Sequence, residues 1–310
     1  MMAAFFLFLL LSAIFTAEAI NPGSSLTPTT NPSWASPSGQ YAFGFYKQGN
    51  GYAIGIFLPG ISQKTVVWTA NRDNASVAAD VSLNFTSDGR MVLQSAQGKE
   101  IINVVNFVGA VTSAASAFML DTGNFVLYDS DNQTILWESF KNPTDTILPT
   151  QQLSSSANDQ GVLDSNVSES NQSTGIFRAL MQQDGFLALY PLGTPYTREY
   201  GYWSSEGNVT GPPLSATLNL GVDGHLYLAS GSNTVTISTA KNYTKGVLYL
   251  LRMDADGFLR LYSHNMDQNG TWSVTCFSPF DKCVPLGLCG LNAYCVEVKD
   301  CYPNINLRGG

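Results

Sequence analysis

Charge of either sign is scarce in this 310-residue chain, in which Lys, Arg, Asp and Glu together make up only 12%. Soluble proteins usually carry about 25% charged residues, so solubility has to come from Ser, Thr, Asn, Gln and attached sugar. Acidic residues outnumber basic ones by 23 to 15, and no basic cluster occurs, which argues against nucleic acid or an anionic membrane surface as partner. General disorder is excluded because 44% of the residues are hydrophobic and 12% aromatic.

Cysteine and histidine are also scarce. The first of five cysteines is Cys276, so everything before it must fold without an internal disulfide. The two histidines, His225 and His264, lack a nearby Ser or Cys arrangement typical of a nucleophilic site. We therefore expect no cofactor and no metal in the main part of the chain.

Long hydrophobic runs occur only at the start of the chain. Residues 1–19 contain an uncharged run from Ala3 to Phe15, followed by the small-x-small pattern of residues 17–19. This pattern predicts a secretory signal peptide, although a basic residue near the start is missing. A membrane anchor is the alternative, but the run falls short of the ~20 residues that a spanning helix needs. The sequence therefore predicts a secreted chain without a membrane span.

Asn-x-Ser/Thr triplets are frequent, which agrees with a secreted location. In such a chain they predict N-glycans on surface loops, although some triplets arise by chance. The candidate acceptors are Asn74, Asn84, Asn132, Asn166, Asn171, Asn208, Asn242 and Asn269.

A short pattern recurs along the chain: a turn that ends in Gly, followed by alternating hydrophobic residues. Asp-Gly between alternating hydrophobics favours a β-hairpin, because Gly readily adopts the positive φ of the turn. The copies occupy residues 87–93, 121–127, 183–189, 222–228 and 255–261. The remaining runs are rich in β-branched and aromatic residues and lack a 3.6-residue period, so the prediction is an all-β protein. A polar stretch at residues 151–173 follows the first two copies of the repeat and precedes the other three. We interpret it as a junction between two domains, and the alternative is a long loop within one domain.

Four segments resemble a known family. Thr65–Asp73, Leu120–Tyr128, Leu136–Phe140 and Asn142–Thr146 look like the bulb-type lectin domain of plant G-type lectin S-receptor-like serine/threonine kinases. The resemblance is strong over residues 22–150 and weaker beyond them. It implies β-prism units, each with three four-stranded sheets about a pseudo-threefold axis.

The resemblance also implies a domain order. We expect a signal peptide at residues 1–19, a bulb-type lectin domain at 22–150, a second lectin-like domain at 151–272 and a partial EGF-like module at 273–310. Trp68 and Trp137 would be core residues.

The cysteine-rich end resembles the start of an EGF-like module. Such small modules depend on disulfides because their core is small. The resemblance suggests Cys283 with Cys295 and Cys289 with Cys301, and leaves Cys276 unassigned; sequence alone does not fix the connectivity. A zinc site competes poorly, because the cysteine spacing is wider than the usual pairs. The kinase motifs of the family are absent from this sequence, so no enzyme activity is expected of it.

The family's mannose site resembles Gln-x-Asp-x-Asn-x-Val-x-Tyr, whose polar side chains hydrogen-bond to sugar hydroxyls. No copy in this chain is complete, and two lost partners would weaken an already shallow site. The last repeat keeps only Asp256 and Tyr262. The alternative interpretation of all these residues is a role in hairpin turns and sheet faces. The candidate carbohydrate-binding residues are Gln182, Asp184, Tyr190, Asn124, Val126 and Tyr128.

Three functions follow as hypotheses. The first is an extracellular module that recognises a mannose-type or cell-wall glycan, or a glycoprotein, in a plant receptor with a defence role; a longer gene product would place it at the plasma membrane. The second is a protein-interaction ectodomain, for example a homodimer, without sugar affinity. The third is a glycoside hydrolase, which needs two carboxylates across a cleft. The hydrolase is disfavoured because the aspartates lie in predicted turns, where Asp is favoured for backbone reasons.

Overall fold

The regular secondary structure of the described residues is almost entirely β-strand, which confirms the all-β prediction. The computed structural model describes residues 18–61, 65–105, 113–155, 161–209, 216–239, 246–266, 271–279, 284–285, 287, 293–295 and 301–303. The predicted signal peptide lies almost wholly outside these ranges, and so does most of the predicted EGF-like module. Within the described residues the one helix is a 3₁₀ turn at Ser139–Lys141, and none could cross a membrane.

The first group of sheets, which we call unit 1, is formed by strands β1 to β11. Their bounds are β1 Ser25–Leu26, β2 Ser33–Ala35, β3 Ala42–Gln48, β4 Gly51–Leu58, β5 Thr65–Thr69, β6 Ser82–Phe85, β7 Met91–Gln94, β8 Glu100–Asn103, β9 Ser116–Met119, β10 Phe125–Tyr128 and β11 Ile135–Glu138. They pair antiparallel in three sheets with the orders β2-β3-β4-β5, β1-β6-β7-β8 and β11-β10-β9. Ile20 adds a bridge to Ala117 at the free edge of β9, so the third sheet also has a fourth member.

The second group, unit 2, repeats this plan with strands β12 to β23. Their bounds are β12 Thr146–Ile147, β13 Gln152–Ser154, β14 Val162–Ser168, β15 Asn171–Met181, β16 Leu187–Pro191, β17 Trp203–Ser204, β18 Thr217–Leu220, β19 Leu226–Ser230, β20 Asn233–Ser238, β21 Val247–Met253, β22 Leu259–Asn265 and β23 Ser273–Ser278. The sheet orders are β14-β15-β16-β17, β13-β18-β19-β20 and β12-β21-β22-β23. In the tail, β24 Ala293–Cys295 pairs with β25 Cys301–Pro303.

The two units share one topology. In each unit the first short segment joins the third sheet, the second joins the second sheet, and the next four strands form a meander of their own. Strand β12 of unit 2 occupies the position that Ile20 has in unit 1, and β13 occupies the position of β1. Although residues 146–147 precede the predicted boundary at residue 150, they pair with β21 of unit 2.

The five predicted hairpins are present, and their turns have the same hydrogen-bonding pattern. In the last one, the Asp254 amide donates to the Phe258 carbonyl, and the Gly257 amide donates to the Asp254 carbonyl. The five turn glycines all have φ between 76° and 86°. Because such a φ is unfavourable for residues with a Cβ, glycine is required there. The prediction of Gly-centred hairpins is therefore confirmed.

Each unit has a hydrophobic core, and Leu250 of unit 2 also packs into the core of unit 1. In unit 1 the rings of Phe43 and Phe125 stack with centroids 3.8 Å apart, which joins two of the sheets. Trp68 and Trp137 are both buried and meet edge to face at 5.6 Å, as predicted for core residues. The core of unit 2 draws on all three of its sheets, with Phe177 among its largest buried side chains.

Buried tyrosines give the fold a characteristic response to alkaline pH. Burial raises the pKa of Tyr41 to about 12, from an ordinary value of 10.0. Below pH 10 the phenol is neutral in both folded and unfolded chains, and above it the unfolded chain alone releases the proton. Stability is therefore lost as the pH rises from 10 towards 12, by about 2–3 kcal/mol for this group.

We expect Tyr41→Phe to flatten the fall in unfolding midpoint above pH 10, measured by circular dichroism during thermal unfolding. Tyr200→Phe is the matched control, because Tyr200 is exposed. An unchanged alkaline profile in Tyr41→Phe would contradict the assignment.

Candidate functional site

In unit 1 the predicted sugar-binding side chains are buried or half-buried, and two of them contact other side chains of the protein. Asn124 is only 7% exposed; its Nδ2 donates to Glu138 Oε2 at 2.8 Å, and its Oδ1 accepts from Ser139 Oγ and the Phe140 amide. Val126 is 1% exposed. Tyr128 is half-buried and packs edge to face against Phe118. Asn124 and Tyr128 therefore link the region of β10 to neighbouring segments, and Val126 is part of the buried interior.

In unit 2 two of the three predicted residues are in contact, and one of these two is covered. Gln182 Nε2 donates to Tyr190 Oη at 2.8 Å. Tyr190 is only 2% exposed, because Tyr196 stacks edge to face on its ring and Gly201 lies against its edge. Burial raises the pKa of this phenol, which keeps it neutral. Exposed Asp184 uses Oδ1 to accept from the Phe186 amide at 3.2 Å, as an aspartate in a turn does.

The last repeat carries the most extensive charged network. Arg260 donates from Nη1 to Asp254 Oδ2 and to Asp256 Oδ1, and from Nη2 to Asp256 Oδ2, each at 2.7 Å. Tyr262 Oη donates to Asp254 Oδ2 at 2.7 Å. The guanidinium also lies over the ring of Phe258, 4.7 Å from its centroid. Arg260 and Tyr262 are two residues apart on β22, so their side chains lie on the same face of the sheet. On that face they meet the carboxylates of the turn that precedes the strand.

Partial burial shifts the pKa values of the groups in this network. Burial raises the pKa of the Asp254 carboxyl, against the hydrogen bonds from Arg260 and Tyr262. Burial lowers the pKa of Arg260, but hydrogen bonds to Asp256 and Asp254 outweigh it and raise the pKa overall. Burial also raises the pKa of Tyr262, with further contributions from Asp254. The arginine and the tyrosine therefore remain protonated donors near neutral pH.

The network lines a cavity of about 550 Å³, which we call the interunit cleft. One wall is the last repeat, with Asp254, Asp256, Arg260 and Tyr262. A second part of the lining is the tip of the β14–β15 hairpin, residues 166–169, together with Gln172. Strand β5 of unit 1 and Trp272 complete the lining.

Two side chains of unit 2 donate hydrogen bonds to β5 of unit 1 at the cleft. Trp272 Nε1 donates to Thr65 Oγ1 at 2.8 Å. Arg252 Nη2 donates to the Val66 carbonyl at 2.8 Å, and its Nε donates to Thr146 Oγ1 at 3.1 Å. The cleft is therefore built by both units.

The candidate glycan acceptors differ in exposure. Asn74 and Asn132 are exposed, whereas Asn84, Asn171 and Asn208 are partly buried. Asn166 is only 4% exposed and donates to Gln172 Oε1 at 3.4 Å. Four other predicted positions lie outside the described residues: the acceptors Asn242 and Asn269 and the disulfide candidates Cys283 and Cys289. The side chains of Cys295 and Cys301 are likewise undescribed, although the two residues pair across β24 and β25. Both sets stay predictions.

Residues 65–168 match the D-mannose binding lectin family. A G-type lectin S-receptor-like serine/threonine-protein kinase of Oryza sativa subsp. japonica is 35% identical over 305 residues, covering 90% of this chain and 36% of the relative. One from Arabidopsis thaliana is 34% identical over 204 residues, covering 61% of this chain and 24% of the relative. This chain thus spans about a third of the length of such relatives.

A solved structure of a monomeric monocot mannose-binding lectin from Gastrodia elata is similar to 44% of this chain and 97% of its own, at 20% identity and a TM-score of 0.30. Through its sequence, over most of its length, this chain is a relative of the G-type lectin S-receptor-like serine/threonine-protein kinases and contains a region that matches the D-mannose binding lectin family.

Proposed function

We propose that the chain is an extracellular module that recognises carbohydrate, and that the interunit cleft receives the sugar. The observation that carries this proposal is the convergence of Asp254, Asp256, Arg260, Tyr262 and Trp272 on one cavity of about 550 Å³. That volume lies within the range of small-molecule sites. Tyr190 is covered and Gln182 donates to its hydroxyl, so the cleft is the better place for a ligand.

The lining has the chemistry that a sugar requires. Carboxylate and amide oxygens accept from hydroxyl groups, and amide and phenol groups donate to them. Trp272 adds an aromatic surface suited to the apolar face of a sugar ring, and its Nε1 is already satisfied by Thr65. A ligand with many hydroxyls can therefore be held without leaving buried polar groups unpaired.

The charges favour a neutral sugar over an acidic one. Arg260 is engaged by two carboxylates, and Arg252 by a carbonyl, a hydroxyl and the nearby Asp145. Their positive charge is thus already balanced within the protein. Asp256 and exposed Glu169 add negative charge to the lining, which disfavours a uronate. A mannose-type glycan or a glycoprotein that bears one fits this arrangement.

Recognition without catalysis is part of the proposal. A glycoside hydrolase places two carboxylates on either side of the scissile bond. Here Asp254 and Asp256 converge on one guanidinium on the same wall of the cleft. Kinship with receptor kinases supports a role as a sensing ectodomain in defence signalling, with a kinase supplied by a longer chain.

We expect Asp256→Ala to weaken glycan binding about tenfold or more, because Arg260 loses its bidentate partner and the sugar loses an acceptor. The measurement is a glycan array, followed by titration calorimetry with the best neutral ligand and with oligogalacturonate. Asp223→Ala is the matched control: Asp223 also caps its own hairpin, by accepting from the His225 amide, but it is not part of the cleft.

Equal losses in the two variants, or a preference for oligogalacturonate, would contradict the proposed site. If the wild-type chain binds no glycan on the array and forms a stable self-associated species, the protein-interaction function would be favoured instead.

A further inference from the structure

A single arginine of unit 1 holds a hairpin of unit 2. Arg72 donates from Nε to the Gln172 carbonyl at 2.7 Å, and from Nη1 to the Asp164 carbonyl at 2.9 Å. Its Nη2 donates to the carbonyls of Ser165 and Ser173 at 3.1 and 3.4 Å. One guanidinium therefore bridges four main-chain oxygens on both strands of the β14–β15 hairpin.

The sheet itself leaves this part of the hairpin irregular. The pairing of β14 with β15 shifts register between Asp164 and Asn166 and again between Asn166 and Ser168. Such bulges interrupt the ladder and leave main-chain groups without their usual partners. A planar guanidinium carries five N–H donors in fixed directions and can satisfy several carbonyls at once. The geometry of the hairpin at this point therefore depends on Arg72.

Neighbouring contacts support the same placement. Asp73 accepts through Oδ1 from the Thr174 amide at 2.8 Å and through Oδ2 from Thr174 Oγ1 at 2.9 Å. Gln48 Oε1 accepts from the Gln172 amide at 3.4 Å. Beyond the held carbonyls lies the hairpin tip, residues 166–169, which forms one wall of the interunit cleft.

We infer that Arg72, which does not line the interunit cleft, is a positioning residue for it: by holding the β14–β15 hairpin it sets the part of the lining that this hairpin supplies. The inference rests on the proposed function, because its consequence is affinity for a neutral glycan. It makes the cleft a site that unit 2 does not complete alone.

The test measures the hairpin and the ligand separately. Hydrogen exchange followed by mass spectrometry is compared between the wild-type chain, Arg72→Ala, Arg72→Lys and the control Arg198→Ala, which removes an exposed arginine. We expect faster exchange in residues 161–177 of both Arg72 variants, with the strands of the sheet β13-β18-β19-β20 unchanged. Lysine carries the charge but not the planar fork, so it should restore little.

Affinity for the best neutral glycan of the array is then expected to fall about tenfold in both Arg72 variants. It should recover in part when millimolar guanidinium chloride is added to Arg72→Ala but not when sodium chloride is added. Faster exchange with unchanged affinity, or unchanged exchange in residues 161–177, would overturn the inference. If the wild-type chain binds no glycan, the proposed function is wrong, and the inference fails with it as a statement about affinity; the exchange data then decide only whether Arg72 holds the hairpin.

Discussion

Replacing Gly185 by alanine is expected to destabilise unit 2 by about 3–5 kcal/mol. Gly185 has a φ of 86°, at which an alanine is strained. A Cβ at this position would also overlap the main chain of Val209, whose amide donates to the Gly185 carbonyl at 3.2 Å. The overlap is with backbone rather than with a flexible side chain, so the turn and the segment that crosses it have to separate.

The matched control is Gly193→Ala. Gly193 has a φ of 83°, yet nothing lies within 4 Å of an added Cβ. It therefore reports the cost of the backbone conformation alone, about 1–2 kcal/mol. The measurement is the thermal unfolding midpoint, where each kcal/mol corresponds to about 2–4 °C in a chain of this size class. Equal shifts in the two variants would show that close packing of the hairpin does not matter.

Replacing Arg252 by methionine is expected to cost about 3–5 kcal/mol, because it leaves the carboxylate of Asp145 buried without its ionic partner. Asp145 is buried, and its Oδ2 lies 3.5 Å from Arg252 Nε. The substitution also removes the hydrogen bond that joins unit 2 to the Val66 carbonyl of unit 1. The loss should appear as a lower midpoint in urea.

The double variant Arg252→Met, Asp145→Asn separates the two effects. Removing the buried charge should recover part of the loss, since a neutral amide is easier to bury than an unpaired carboxylate. The remainder is the cost of the lost contact with unit 1. A double variant as unstable as Arg252→Met alone would show that the ion pair contributes nothing measurable.

The hairpins of this fold could be predicted from sequence because each one is encoded locally. An Asp or a similar residue before Gly, followed by alternating hydrophobics, fixes both the turn and the face that is buried. The turn aspartates also have the backbone role expected of them: Asp184, Asp223 and Asp256 each accept from an amide two residues on. Other hairpins carry no such signal: the one between β3 and β4 turns at Gly49-Asn50, without Asp-Gly.

The interunit cleft was not predictable from sequence in the same way. Its walls come from β5, the β14–β15 hairpin and the last repeat, which are separated by about 80 to 100 residues of sequence. The repeat pattern did identify Asp256 and Tyr262, but a comparison with a mannose motif gave no weight to Arg260, since that motif has no arginine there. The roles of Arg72 and Trp272 depend on how the two units meet, and no local pattern specifies that contact. Conversely, the cover over Tyr190 is formed by Tyr196, an exposed loop residue without any sequence signal.

A crystal structure of the chain with a bound mannose trisaccharide would decide where the sugar is recognised. We expect its density in the interunit cleft, between Trp272, Asp256 and the tip of the β14–β15 hairpin, with both units in contact across β5. Sugar bound instead on the sheet that carries Gln182 and Tyr190, or beside Asn124, or no bound sugar at a concentration that saturates binding in solution, would contradict this account.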